Sequence, residues 1–597
     1  MRQARRLAGV LVGTGFRAAP FTACLSVVLS IGAAVCSVVY TVGLKVMIDG
    51  AIAHAGGRIA LGAALVAVLF TLSWLLAVIG GSRGSLLTDK TSLALAVRIS
   101  RLAASLPTLE HFERPALLAR LETLTGGRRT LAGAPRQLIN LLGQALRAIG
   151  MVVLLALIYP PVLAVPLLAL APALADRRAG RVQRRADESL AEDRRMLEEL
   201  FTLATTAASA RELRTYGLTD PLSERHAVLA QAIRRRAVRA AIVSAAWEAV
   251  GWIVFAAGLV AAIVVLVLRA AHGQVSPGGV VEAVTLMRRA QTQISRSTDT
   301  AGSFQTSLTA ARELLWLEDH EAALTGAGPG ATRGEVPPRL ERGIVFEQVT
   351  FAYPGSDRIV LGPLDLALPA GASVALVGEN GAGKTTLVKL LCGMYAPVSG
   401  RILIDGVELS SLAPARWREQ VTAAFQDFVR FELVLRESVG IGQLEQAGEE
   451  GVVREALARA DGDALVRRLP DGLRTRVGSR FTGGRQLSGG EWQRLALARG
   501  LMRPDPLLVV LDEPTASLDA ASEAALFDRY VAAARRLGEA QGTITLLVSH
   551  RFSTARAADL IVVLEGGQVV ESGAHAELMA AQGVYAELFT LQARAYA

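Results

Sequence analysis

The sequence predicts an α-helical membrane domain followed by an α/β P-loop NTPase domain. Three observations carry this reading. Long stretches of the first 270 residues hold almost no charge, whereas residues 343–597 read as ordinary soluble protein. From residue 343 the pattern changes to short β-rich runs (GIVFEQVTFAYP, SVALVG, LLVVLDEP, TITLLVSH) alternating with helical stretches, the mark of an α/β core. Between SVALVG and such a helical stretch stands GENGAGKT, residues 378–385, a phosphate-gripping loop in the context that loop requires.

A chain of 597 residues is too long for one hydrophobic core. The expected division is a membrane domain over 1–317, a linker over 318–342 containing the Gly/Pro-rich TGAGPGATRGEVPPR, and a nucleotide domain over 343–597. The net charge of +9 raises nucleic acid as a partner. Yet only four lysines (Lys45, Lys90, Lys384, Lys389) stand among 63 basic residues, and many arginines flank apolar segments. That is the pattern of membrane flanks, so no nucleic-acid partner is expected. Cys24, Cys36 and Cys392 show neither paired nor metal-binding spacing and read as small buried hydrophobes. Arg2, Arg5, Arg6 and Arg17 before an apolar run imitate a signal peptide, but the run is longer than a cleaved signal needs and fits a retained first span.

A bilayer's hydrocarbon needs about 20 apolar helical residues. Segments 20–44, 59–81, 138–158 and 241–268 meet this. A fifth, 161–175, is short and holds Pro166 and Pro172; it pairs with 138–158 through Tyr159-Pro160-Pro161, with a buried soluble helix as the alternative. A sixth, 279–300, carries Glu282, Arg288, Arg289 and Arg296, so hydropathy alone does not select it. The connections 82–137 and 176–240 are rich in arginine while 48–58 and 269–278 are nearly neutral. The positive-inside rule puts both long connections and the N-terminus in the cytoplasm. A cytoplasmic nucleotide domain then requires an even number of crossings, which restores the sixth span. Leu190, Leu197, Leu200 and Leu203 recur at helical spacing among charges, so the spans are expected to continue as helices well into the cytoplasm, with a separate soluble bundle as the alternative.

In the phosphate loop, the glycines (Gly378, Gly381, Gly383) free backbone N–H groups to wrap phosphates, Asn380 lies between them, and the following helix aims its positive end at the anion. Lys384 is expected on the β/γ-phosphates, and the Thr385 hydroxyl on Mg²⁺. LLVVLDE (507–513) reads as a buried strand ending in two acids. Asp512 is placed to hold Mg²⁺, directly or through water, and Glu513 to act as general base or to orient the attacking water.

LSGGE at 487–491 resembles the signature motif of ATP-binding cassette (ABC) proteins. Further elements resemble the family in order: Tyr353 in FAYP, Gln426, Ser517-Leu518-Asp519 and His550. The resemblance covers residues 343–595; the membrane half is similar in arrangement to the six-helix exporter type, with FERPALLARLE (112–122) and RELRTYGLTDPL (211–222) resembling its two coupling regions. It implies ATP and Mg²⁺ as cofactors, adenine stacking on Tyr353, nucleotide contacts from Thr386 and Asp519, and Mg²⁺ contact from Gln426. It also implies that Glu513, His550 and Gln426 form the catalytic set, and that Ser488, Gly489 and Gly490 cap the γ-phosphate held by an opposite subunit. One departure is Glu491, where the signature often carries Gln.

The resemblance therefore implies a half-transporter of the plasma membrane, a homodimer or a heterodimer with a second half, that moves its cargo outward. The chain opens directly on its first span, leaving no room for a leader-cleaving protease domain, and FQDFVRFELVLRESVGIG (425–442) is similar to protease-less peptide and lanthipeptide exporters. Peptide cargo is favoured slightly, with lipid or multidrug efflux beside it and Arg288 and Arg289 as candidate cavity residues. Two alternatives stand: an exporter-shaped importer, for example of a siderophore, and a non-transport ABC ATPase, which would lack spans.

Overall fold

A computed structural model describes residues 2–158, 160, 170–206, 209–325, 334–513, 535–536, 538–549 and 555–596. The chain divides into two compact units, one of Met1–Ala104 with Glu122–Glu318 and the other of Ser105–Leu121 with Asp319–Ala597.

Among the described residues, the regular structure of the first unit is all helix. Two short helices, Arg2–Leu11 and Gly13–Ala18, precede the first span. Four helices are long and apolar enough to cross a membrane: α1 (Pro20–Ile52), α2 (Gly56–Ser105), α3 (Ala134–Ile158) and α4 (Thr219–Ala271). They match the four segments singled out by hydropathy. On α2 and α3 large apolar side chains face outward, Trp74 at 62% exposure and Leu157 at 76%, a surface that water would penalise and lipid accepts. At 50 and 53 residues, α2 and α4 each run about 75–80 Å, more than twice the hydrocarbon thickness. The expected continuation of the spans is thus helix without a break, and Leu170–Ser189 and Ala191–Thr205 supply the rest of the second long connection. Of the expected fifth span, 161–175, residues 161–169 lie outside the described residues, and 170–175 open the helix Leu170–Ser189.

The sixth segment lies within one continuous helix, α5 (Pro277–Thr325). Its polar groups are housed among helices. Glu282 is buried, with Lys45 and Asp49 as its charged neighbours. Arg289 sits 4.2 Å from the Tyr40 ring centroid and hydrogen-bonds the Ser37 carbonyl, while Arg288 is exposed. Arg289 therefore holds α5 against α1 by a cation–π contact; the Arg296 side chain lies outside the description.

The second unit carries two sheets. An antiparallel sheet has the order β2 (Ile359–Pro369), β1 (Gly343–Ala352), β4 (Ser399–Ile404), β5 (Val407–Glu408). The larger sheet has the order β10 (Gln568–Gly573), β9 (Leu560–Glu565), β3 (Ser373–Gly378), β8 (Ile544–Val548), β7 (Leu508–Asp512), β6 (Val421–Ala424), parallel except at β10. Every residue of β3, β7 and β8 is buried, which is why these runs read as unbroken apolar sequence rather than alternating. A second core, built round Trp492, Leu435, Leu457 and Leu495, supports α6 (Gly489–Gly500).

Candidate nucleotide site

In parallel sheets, ligand sites form beyond the carboxyl ends of the strands. The register brings three such ends together: Leu376 of β3 and Asp512 of β7 both pair with Val548 of β8, so they are two strand spacings apart, about 10 Å. The phosphate loop continues β3, the two acids end β7, and Gln426 follows β6, whose Ala424 pairs with Leu511.

Two glycines in the loop are required by geometry. Gly378 has φ +153°, and a Cβ there would lie 2.2 Å from the Leu564 carbonyl oxygen. Gly383 has φ +102° and no room beside Leu361. It caps the helix α7 (Lys384–Leu391), whose N-terminal N–H groups form the end suited to an anion. Lys384 is buried, and its ammonium donates to the Gly378 and Glu379 carbonyls at 2.7 and 2.9 Å. Burial lowers its pKa, and Glu513 and Asp512 oppose that shift. Asn380, Gly381 and Thr385 are exposed around the loop, whereas Thr386 is buried, its hydroxyl 3.0 Å from the Tyr353 hydroxyl.

Across the sheet, Asp512 is buried and its carboxyl is pushed up to about 6, by burial first and by Glu513 second, with Lys384 opposing. Glu513 adopts φ +48°, a left-handed conformation uncommon for a non-glycine residue. Its backbone is fixed from both sides: its N–H donates to the Val548 carbonyl at 3.0 Å, and its carbonyl accepts from Gln493 Nε2 at 3.3 Å. Its carboxylate accepts a 2.7 Å hydrogen bond from Gln426 Nε2. The structure thus joins Lys384, Asp512, Glu513 and Gln426. Asp519 and His550 lie outside the described residues.

Ser488 is the N-cap of α6, with Gly489 and Gly490 opening it. Glu491 closes a capping box: its carboxylate accepts from the Ser488 N–H at 2.7 Å and hydroxyl at 2.9 Å, and it pairs with Arg468. The departure to Glu is therefore well used, a carboxylate at a helix N-terminus. Gln493, which sequence reasoning passed over, ties the same helix to Glu513; its place two residues beyond the signature was the available signal.

The raised Asp512 carboxyl has a consequence for stability. A folded-state pKa of about 6 against 3.8 means the folded form binds more protons, so this group's contribution falls as pH rises through about 6, by roughly 3 kcal/mol. Nucleotide-free Asp512→Asn is expected to unfold at a higher temperature than wild type at pH 7.5, and the gain should shrink as pH is lowered through 6. A gain independent of pH would contradict this.

A phosphate loop, an acidic strand end and membrane-length helices on one chain define an ATPase built into a membrane protein. Residues 361–516 match the family model for ABC transporters. An ATP-dependent lipid A-core flippase of Nitrosococcus oceani is 33% identical over 430 residues, 72% of this chain and 68% of that protein. One of Xylella fastidiosa is 32% identical over 460 residues, 76% of this chain and 74% of its own. A solved bacterial Atm1-family ABC exporter with ATP bound shares the fold, with TM-score 0.72, 24% identity, and coverage of 97% of this chain and 98% of that one. The chain belongs to the ABC transporter family: it is a multi-pass membrane protein of exporter fold that couples ATP hydrolysis to transport.

Proposed function

We propose that this chain is half of an ATP-driven exporter that moves an amphiphilic lipid of the lipid A-core class out of the cytoplasmic leaflet of a bacterial inner membrane. Two copies act together, with N-termini and cassettes in the cytoplasm. The observation that carries the cargo is the name borne by the relatives, which match across membrane and nucleotide units alike. The peptide cargo expected from motif style gives way to lipid on this ground.

In the nucleotide site, Tyr353 stacks the adenine, with Thr386 fixing its hydroxyl. The N–H groups of 378–385 and the Lys384 ammonium hold the phosphates. The donors present fit Mg²⁺: the exposed Thr385 hydroxyl, the buried Asp512 carboxyl and the Gln426 amide oxygen are hard oxygen ligands. When bound, Mg²⁺ would neutralise charge on the β- and γ-phosphates. Glu513, aimed by its backbone and by Gln426, takes the proton of the attacking water or orients it. His550 and Asp519 are assigned to the same centre by family resemblance. Ser488, Gly489 and Gly490 cap the γ-phosphate bound to the other copy, so ATP draws the cassettes together and hydrolysis releases them.

In nanodiscs, a lipid A-type glycolipid is expected to stimulate ATP hydrolysis by the purified chain severalfold, whereas cationic peptides should not. Stimulation by peptides alone would overturn the cargo assignment.

A further inference from the structure

Of the four lysines, Lys384 is the phosphate-loop lysine, and Lys389 stands five residues on, in the same helix. Its ammonium donates to Glu113 Oε1 at 3.0 Å. It also lies 5.2 Å from the centroid of the Tyr353 ring and 5.8 Å from that of Tyr395. The Tyr395 hydroxyl donates to the other oxygen of Glu113, and the Tyr353 and Tyr395 rings meet edge-on at 5.6 Å. Glu113 ends the helical turn Glu110–Glu113 within Ser105–Leu121, a segment that belongs to the nucleotide unit and overlaps the stretch 112–122 resembling the first coupling region. The far end of this segment is held separately, by Arg418 donating to the Pro107 carbonyl. Burial acts to lower the Lys389 pKa, but the hydrogen bond to Glu113, the Tyr353 phenol and the Glu113 charge outweigh it and leave it raised.

We propose that Lys389 is a positioning residue that links the Tyr353 ring to the segment 105–121 through Glu113, so that docking of this segment sets the affinity for the base of the nucleotide. The proposal rests on Tyr353 being the adenine platform. With Glu113 in place, the ammonium is fixed against the ring and the ring is fixed for stacking. When the segment withdraws, Lys389 loses its carboxylate and the ring its brace. Linkage makes the effect reciprocal: adenine on Tyr353 favours docking of the segment by the same factor. A lysine suits this place because its compact ammonium serves a carboxylate and two ring faces at once, where a planar guanidinium would demand one orientation.

The test is steady-state ATP hydrolysis by the full chain in lipid nanodiscs, with CTP as the small-base comparison. Lys389→Met and Glu113→Gln are each expected to raise KM for ATP by about three- to tenfold, with kcat little changed and a smaller effect on CTP. The double variant should match the larger single effect rather than the product of the two. Reversing the pair, Glu113→Lys with Lys389→Glu, should recover part of the loss, which a folding defect would not allow. Multiplying effects in the double variant, or an unchanged KM in Lys389→Met while Tyr353→Ala raises it, would overturn the link alone. An unchanged KM for ATP in Tyr353→Ala would overturn the adenine platform itself, and the link with it.

Discussion

Glu513→Gln is expected to lower ATP hydrolysis by about 10²- to 10⁴-fold, the range a positioned general base supplies, while leaving ATP binding intact. The amide keeps the volume of the carboxylate, and the backbone that aims it is fixed by main-chain hydrogen bonds. The left-handed backbone at φ +48° is held through its own N–H and carbonyl, by Val548 and Gln493. The Gln426 amide can still donate to the new amide oxygen, as it does to the carboxylate at 2.7 Å. The phosphate loop lies on a different strand and keeps its own bonds to Lys384. The variant should therefore bind ATP and hold the closed dimer, a state that size-exclusion or cross-linking detects. Hydrolysis within tenfold of wild type would remove Glu513 from the chemistry.

Gly489→Asp has an effect of similar size for a different reason. A Cβ at Gly489 meets nothing within 4 Å among the described residues, and the residue needs no positive φ. Gly378 is the contrast, where a Cβ would strike the Leu564 carbonyl. An aspartate in the first turn of α6 even suits that helix end. No contact among the described residues calls for glycine at 489; the proposed closure of a second copy over the other ATP would. The new charge would meet the γ-phosphate. Hydrolysis should fall by about 10²- to 10³-fold, the cost of losing one preorganised donor to developing charge, with ATP affinity of the open protein unchanged. A folded, ATP-binding Gly489→Asp variant with full hydrolysis would contradict the shared site.

Much of this was legible in the residues, for physical reasons that differ by region. A phosphate loop must spend specific glycines and a lysine, and an acidic strand end must follow an apolar strand, so 378–385 and 507–513 declare themselves. Four spans declare themselves because lipid admits little charge. The helix Pro277–Thr325 escapes hydropathy because its charged residues lie among neighbouring helices, Glu282 buried and Arg289 against the Tyr40 ring. The Lys389–Glu113 bond joins residues 276 positions apart, and no local pattern records such a pairing. The leaning towards a peptide came from residues 425–442, which belong to the cassette; those residues answer to the nucleotide and carry little information on what the membrane half holds.

The most direct test of the whole account is lipid movement in proteoliposomes whose cassettes face outward. A fluorescent lipid A-type or phospholipid analogue placed in the outer leaflet is followed by dithionite quenching, with and without ATP. The account predicts ATP-dependent protection of the label by the wild-type chain alone and none by Glu513→Gln. Robust hydrolysis without protection, or protection that needs no ATP, would contradict it.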